Sequence, residues 1–302
     1  MKTEHPSPRY SAIDLWDPAE ILDAMIEGQF AAVAAVHAAR VALERAALGI
    51  EERLRRGGRL AYAGAGTSGR LAVQDGAELM PTFSWPPERL VLLMAGGRDA
   101  LVGAVEGAED EVAGAAALVR RHEIDGKDAL IAVAASGTTA FTLSCLREAA
   151  ARGALTIGIA NNPKTPILDE ADHPIWLDTG AEAIAGSTRM KAGTAQRVAL
   201  TVLSSLVMIR LGRVYEGLMV DVQASNAKLV RRSETILAQL TGQGRDRVRE
   251  ALGRAHGSVK LAFLLLEGSE VDDARSALEQ SGGDLRAAKT AITARSTQKK
   301  RA

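Results

Sequence analysis

The hydrophobic positions of this chain change their spacing twice. Between Asp17 and about Arg56, apolar residues recur with a helical period at Ile21, Leu22, Met25, Ile26, Val33 and Val36. Asp17-Pro18-Ala19-Glu20 carries a start signal, with Asp at the N-cap, Pro at N1 and Glu at N3. Gly57-Gly58 is the stop. From Arg59 the helical period gives way to short, continuous apolar runs separated by amphipathic stretches. Strands are predicted at 59–63, 90–95, 129–134, 155–159 and 174–177, and helices near 68–77, 99–107, 110–121, 140–151 and 193–211. Runs that are apolar throughout belong to strands covered on both faces. The pattern therefore predicts an α/β fold built on a doubly wound, parallel, five-stranded sheet. After Gly212 the chain reads as all-helical, with helical periodicity from Val220 to Leu240 and a cluster of short helices over roughly 244–295. The expected organisation is a helical lead (1–56), a central α/β domain (57–215) and a C-terminal helical region (216–302).

Three loops of the alternating region share glycines and hydroxyl side chains, and each precedes a helix. They are Gly64-Ala65-Gly66-Thr67-Ser68-Gly69-Arg70, Ala135-Ser136-Gly137-Thr138-Thr139 and Gly186-Ser187-Thr188-Arg189-Met190-Lys191-Ala192-Gly193-Thr194. Glycine lets backbone turn tightly and approach a ligand. Thr and Ser add hydroxyl donors, and a helix N-terminus favours an anion. The first loop has neither the dinucleotide-binding spacing nor the Gly-Lys-Ser/Thr of a Walker loop. The three together predict one phosphorylated ligand held at the carboxyl edge of the sheet. Gly66, Thr67, Ser68, Ser136, Gly137 and Thr138 are its candidate phosphate contacts. Arg70, Arg189 and Lys191 are cations that could pair with it.

Composition narrows the function classes. The 302 residues carry 37 Lys and Arg against 37 Asp and Glu, a formal net charge of zero, which disfavours a general nucleic-acid or anionic-membrane binder. Aromatic residues are scarce, which disfavours stacking on single strands. Cys145 is the single cysteine, so no internal disulfide or Cys-rich metal site forms, and its apolar helical setting predicts a buried thiol. The histidines are scattered singly, none with the i, i+4 spacing of a helical metal pair, and no metal is expected. The N-terminus lacks an apolar signal region, and the most apolar stretch, Val198 to Ile209, is shorter than a membrane span. A soluble cytoplasmic protein is expected. The basic stretch Lys299-Lys300-Arg301 reads as a frayed tail.

A phosphate grip does not by itself make an enzyme. Glu78, in Gln74-Asp75-Gly76-Ala77-Glu78-Leu79-Met80-Pro81-Thr82, and Glu109, in Val105-Glu106-Gly107-Ala108-Glu109-Asp110, are the candidate acid and base. Two carboxylates in different surroundings can divide into one protonated acid and one ionised base. Glu106 and Asp110 compete with Glu109 on spacing alone.

These stretches, taken in order, resemble the N-acetylmuramic acid 6-phosphate etherase family of the sugar isomerase (SIS) domain superfamily. The matching runs are GAGTSGRL (64–71), Glu78 with Pro81-Thr82, AGG (95–97), AVEGAED (104–110), AASGTT (134–139), GAEAIAGSTRMKAGTAQ (180–196) and GLMVDVQASNAKL (217–229). The resemblance spans almost the whole chain and is weakest over the first 50 residues. It implies a SIS domain with flavodoxin-like layering, and cleavage of the ether between sugar C3 and D-lactate by elimination followed by hydration. It also implies Glu78 as the proton donor to the departing lactate, Glu109 as the carboxylate acting at C2 and in water addition, no cofactor, and a homodimer. Glu182, Ser187, Thr188 and Lys191 are expected near the sugar phosphate. The run Ala77-Glu78-Leu79-Met80-Pro81-Thr82 departs from the family's Ser-Glu-Cys-Pro-Pro-Thr, and Asp14-Leu15-Trp16-Asp17-Pro18 diverges too.

Two other readings share the fold. An aldose–ketose isomerase needs proton abstraction at C2 but no acid at C3. A sugar-phosphate sensor needs neither glutamate. Leu278 to Ala288 resembles the last turn and helix of a ubiquitin-associated-type three-helix module, a pattern that any short helical hairpin with a Gly-Gly turn shares.

Overall fold

A computed structural model describes residues 1–222 and 227–299. Gln223-Ala224-Ser225-Asn226 of the last motif, and Lys300-Arg301 of the basic tail, lie outside the described residues. The chain forms two compact units, 1–77 with 87–205, and 78–86 with 206–302.

The first unit begins with helices α1 (Pro18–Ala38) and α2 (Arg40–Arg55). The start signal works as predicted: Pro18 is the first helical residue, and the Glu20 carboxylate accepts the Asp17 N–H at 3.4 Å. Gly57, at φ +86°, ends α2, and the Gly58 N–H closes back on the Arg53 carbonyl at 3.1 Å. Five strands follow, β1 (Leu60–Gly64), β2 (Leu90–Met94), β3 (Ala129–Val133), β4 (Leu155–Ala160) and β5 (His173–Trp176). All pair in parallel in the order β2-β1-β3-β4-β5. Every predicted strand is present within a residue or so of its expected bounds. Ala61, Ala63, Val91, Leu93 and Leu130 form one face, covered by α4 (Val112–Arg121) and α5 (Ala140–Ala151). The opposite face carries Tyr62, whose hydroxyl donates at 2.8 Å to Asp75 of α3 (Gly66–Phe83).

Two expectations are corrected. The predicted helix at 99–107 is a 3-10 turn, Asp99–Leu101, followed by open loop. Gly96, Gly97, Gly103 and Gly107 explain it. Three of them take positive φ, and a Cβ at Gly96 would fall 2.9 Å from Val105 Cβ, where the loop folds on itself. The region after Gly212 is not wholly helical. Strands β6 (Val214–Tyr215) and β7 (Leu218–Met219) form a hairpin, closed by Glu216 and Gly217, both at positive φ. The second unit then packs α8 (Ala227–Thr241), α9 (Arg245–Arg254), α10 (Val259–Leu266), α11 (Val271–Gln280) and α12 (Leu285–Lys299). Its core joins Tyr215, Leu237, Val248, Phe263 and Ala277.

Two helices, α1 and α7 (Lys191–Arg210), have the length and apolarity of a membrane span. More than half of the α7 window is buried inside the protein, as in the core helix of a globular fold.

Cys145 faces the sheet, and burial pushes its thiol up to about 12. A thiol held that high stays protonated at pH 8. A disulfide reagent is therefore expected to leave the native protein unlabelled and to titrate one thiol after denaturation. Labelling of the native form would refute the burial.

Candidate active site

The site is built where β1 and β3 lie side by side. In the order β2-β1-β3-β4-β5 the chain leaves β1 toward one edge and β3 toward the other, so a crevice opens between their carboxyl ends. The loops after these two strands are Gly64–Arg70 and Ala134–Thr139. They hold four of the predicted phosphate contacts as half-buried or exposed residues (Gly66, Thr67, Ser136 and Thr138), with Ser68 and Gly137 buried behind them.

Glycine makes the first loop possible. A Cβ at Gly64 would sit 2.7 Å from Gly69 Cα, and one at Gly69 would sit 2.4 Å from the Met94 sulfur and 2.6 Å from the Gly64 carbonyl carbon. Strand end and helix start therefore touch through bare backbone. The first α-helical bond of α3 is Gly69 N–H to Ala65 O at 3.0 Å, which leaves the N–H groups of Gly66, Thr67 and Ser68 without intrahelical acceptors. The second loop repeats the device. Gly137 stands at φ +73°, and a Cβ there would lie 2.2 Å from Thr165 Oγ1. Ser136 Oγ accepts the Thr138 N–H at 3.1 Å and lies 3.3 Å from Thr139 Oγ1. Helix α5 closes its first bond only at Leu143 N–H to Thr139 O. Two helix N-termini thus open beside one crevice, a setting for a phosphate dianion.

The third loop joins the first. A Cβ at Gly193 would lie 3.5 Å from Thr67 Cγ2, and the Gly193 N–H donates to Thr188 O at 2.8 Å. Ser187 and Thr188 are half-buried in this loop, and Arg189 is exposed. Glu182 is 1% exposed, and its carboxylate accepts the Lys191 N–H at 3.0 Å and the Ala192 N–H at 2.9 Å. It caps α7, a role the sequence did not signal. The Lys191 side chain turns inward against Gly28 and lies 6.0 Å from the Tyr10 ring. Burial lowers its ammonium from the ordinary value, the Glu182 carboxylate opposes that shift, and Arg9 adds to it. Arg70 is likewise engaged with backbone: its guanidinium donates to Ala100 O at 2.8 Å and Gly103 O at 2.7 Å.

Those two bonds, with Ala95 N–H to Gly64 O at 3.1 Å, fix the 95–111 loop to the same sheet edge. Glu109 lies exposed in a 3-10 turn of that loop, Ala108–Asp110, which packs on α5. Beside it opens a cleft of about 1100 Å³ between α3, β2 and the loop, lined by Val73, Leu92, Leu101, Val105, Glu106 and Glu111. Glu78 is exposed on α3.

The sequence missed a buried polar cluster behind the crevice. Gln196 Nε2 donates to Asn161 Oδ1 at 2.9 Å, and Asn162 Nδ2 donates to Ala135 O at 3.0 Å and to Thr3 Oγ1 at 2.9 Å. The Asn161-Asn162 pair directly after an apolar strand was the available signal. Among the described residues, no three His, Cys, Asp or Glu side chains converge as a metal site.

The pattern of the glucokinase regulatory protein N-terminal SIS domain matches residues 43–150, and that of the SIS domain matches residues 109–206. An N-acetylmuramic acid 6-phosphate etherase of Deinococcus radiodurans is 50% identical over 286 residues, covering 94% of each chain. One of Streptomyces avermitilis is 44% identical over 290 residues, covering 95% of this chain and 93% of the relative. A phosphoheptose isomerase from Francisella tularensis superposes with a TM-score of 0.50 at 19% identity, over 64% of this chain and all of that one, and shares the fold.

The cap on α7 is open to a direct test. Replacing Glu182 with Ala leaves two buried N–H groups without an acceptor, at a cost of about 2–3 kcal/mol. Thermal denaturation should show a lower midpoint for Glu182→Ala and a smaller drop for Glu182→Gln, which keeps one acceptor oxygen. Wild-type midpoints in both would refute the cap.

Proposed function

We propose a reaction from one premise: the chain belongs to the N-acetylmuramic acid 6-phosphate etherase family. It takes N-acetylmuramic acid 6-phosphate and water to N-acetylglucosamine 6-phosphate and D-lactate. The observation that carries the reading is the pair of helix N-termini at the β1/β3 crevice, in a chain half identical to a named etherase along almost its full length.

The phosphate rests on the N–H groups of Gly66, Thr67 and Ser68 and on the loop of Ser136, Gly137 and Thr138. Ser187 and Thr188 border it, and Lys191 and Glu182 hold the third loop in place. This remote grip supplies orientation that the reacting carbons can use. The sugar opens to its aldehyde, because only then is the C2 proton acidic enough for a carboxylate. Glu109 removes that proton, and the C2–H electron pair becomes the C2=C3 bond. The C3–O bond breaks, its electrons leave on the lactate oxygen, and protonated Glu78 supplies the proton that makes lactate a hydroxy acid. Water then adds: its oxygen bonds to C3, Glu78 takes a proton from it, and Glu109 returns a proton to C2. Both carboxyl groups end as they began. The functional unit is a homodimer.

Wild-type protein should release one D-lactate for each N-acetylglucosamine 6-phosphate formed, and in D₂O the product should carry deuterium at C2. Glu78→Ala and Glu109→Ala should each lose at least about 100-fold in rate while keeping the wild-type melting temperature. Binding of the sugar phosphate by wild type without lactate release would overturn the etherase reading in favour of a sensor.

A further inference from the structure

Glu78 lies in the last turns of α3, and residues 78–86 belong to the second compact unit of the chain. Pro81 sits inside the helix and has no N–H to give, so these turns lack one helical hydrogen bond. Ser84, at φ +50°, then turns the chain out of the helix. Its N–H donates to Met80 O at 2.9 Å, and the Trp85 N–H donates to Leu79 O at 3.2 Å. The final carbonyls of a helix have no donor within it and need one from elsewhere.

A charged cluster of the same unit meets them. Arg213, directly before β6, donates through Nη1 to Phe83 O at 2.8 Å and to Ser84 O at 3.1 Å. Its guanidinium lies 5.2 Å from the centre of the Trp85 ring, which is buried. A cation at this end also suits the negative pole of the helix. The β6–β7 hairpin returns the chain so that the Val220 N–H donates to Arg213 O at 3.2 Å and Asp221 Oδ2 comes within 3.3 Å of Arg213 Nη1. The other oxygen of Asp221 lies 2.8 Å from Lys260 Nζ of α10, and that ammonium also donates to Gly283 O at 2.6 Å. Lys260 is 6% exposed, so its charge is out of water and depends on these partners. Asp221 belongs to the 217–229 run, and the reaction above gives it no role.

We propose that Arg213, Asp221 and Lys260 are positioning residues for the Glu78 carboxyl. The inference rests on the etherase reading above. Two cations share one carboxylate, and the three together link Gly283 to the end of α3. They fix the rotation and tilt of the last turns of that helix, and with them the direction in which Glu78 presents its proton. They act on the reaction through Glu78 alone.

A double-mutant cycle separates positioning from general support. Asp221→Asn keeps the size and one acceptor oxygen and removes the charge, and Arg213→Ala removes the donor to α3. Each should release lactate about 10- to 100-fold more slowly than wild type, with KM for N-acetylmuramic acid 6-phosphate unchanged. Arg213→Lys, which keeps a cationic donor, should recover most of the Arg213→Ala loss. In D₂O the unreacted substrate should gain more deuterium at C2 per lactate released than with wild type, because Glu109 still removes and returns that proton while the C3–O bond waits for its acid. The deciding arm uses the Glu78→Gln background, where neither Asp221→Asn nor Arg213→Ala should slow the residual rate further. The cluster is structural only, and the etherase reading stands, if each variant slows Glu78→Gln as much as it slows wild type, if both keep the wild-type rate, or if neither folds well enough to bind N-acetylglucosamine 6-phosphate. If wild type itself releases no lactate, both fall.

Discussion

Everything at the candidate site depends on one contact without side chains. Gly64 closes β1 and Gly69 lies in the first turn of α3, and their backbones touch so closely that a methyl group on either would collide with main-chain atoms of the other. That contact sets where α3 begins, and therefore where its unbonded N–H groups point. The sheet order then does the rest: β1 and β3 are neighbours, their chains depart in opposite directions, and the second glycine-bearing loop arrives beside the first. A larger residue at either glycine would push the helix outward and separate the two N-termini.

Behind this bare front the fold places polar groups where a core would ordinarily be apolar. Asp75 sits under the sheet, held by the Tyr62 hydroxyl at 2.8 Å and the Ser204 hydroxyl at 3.3 Å. Burial raises its carboxyl above the ordinary value, while those two hydroxyls and the Arg197 charge resist the shift. The Asn161, Asn162 and Gln196 amides lock the ends of β3, β4 and α7 in the same way. Hydrogen bonds of this kind hold at one geometry and are costly to break, so they fix the loops more sharply than oily contacts would, although Gln196 Oε1 is buried without a partner. Glu182 belongs to this set, since its carboxylate completes the start of α7.

The sheet was legible because its inner strands β1, β3 and β4 are buried on both faces, which no solvent-facing element tolerates. The start of α1 was legible from local chemistry, Asp17, Pro18 and Glu20 within one turn. Failures came where distant groups decide. The 99–107 stretch has enough apolar residues for a helix, but its shape is set by glycines and by Arg70, which lies on another element. The 214–219 hairpin turns on Glu216-Gly217, a weaker signal than Asn-Gly. The cap that Glu182 makes on α7 had no sequence signal, because the groups it caps lie nine and ten residues away, beyond any short motif. The candidate site was readable as loops, yet the length of α3, unbroken from Gly66 to Phe83, emerges only from the structure.

The use made of Arg70 bears on how a sugar phosphate would enter and leave. Its guanidinium faces two carbonyls of the 95–111 loop rather than the crevice, and Lys191 is folded inward. An anion at the crevice would then meet amide dipoles and hydroxyls at fixed positions, with Arg189 as the exposed cation of the third loop. Recognition of that kind depends on shape and direction more than on ionic strength, and it discriminates a tetrahedral dianion from a planar carboxylate. It also sets no deep electrostatic trap, so a phosphorylated product that has lost its lactyl group can depart while its phosphate remains intact.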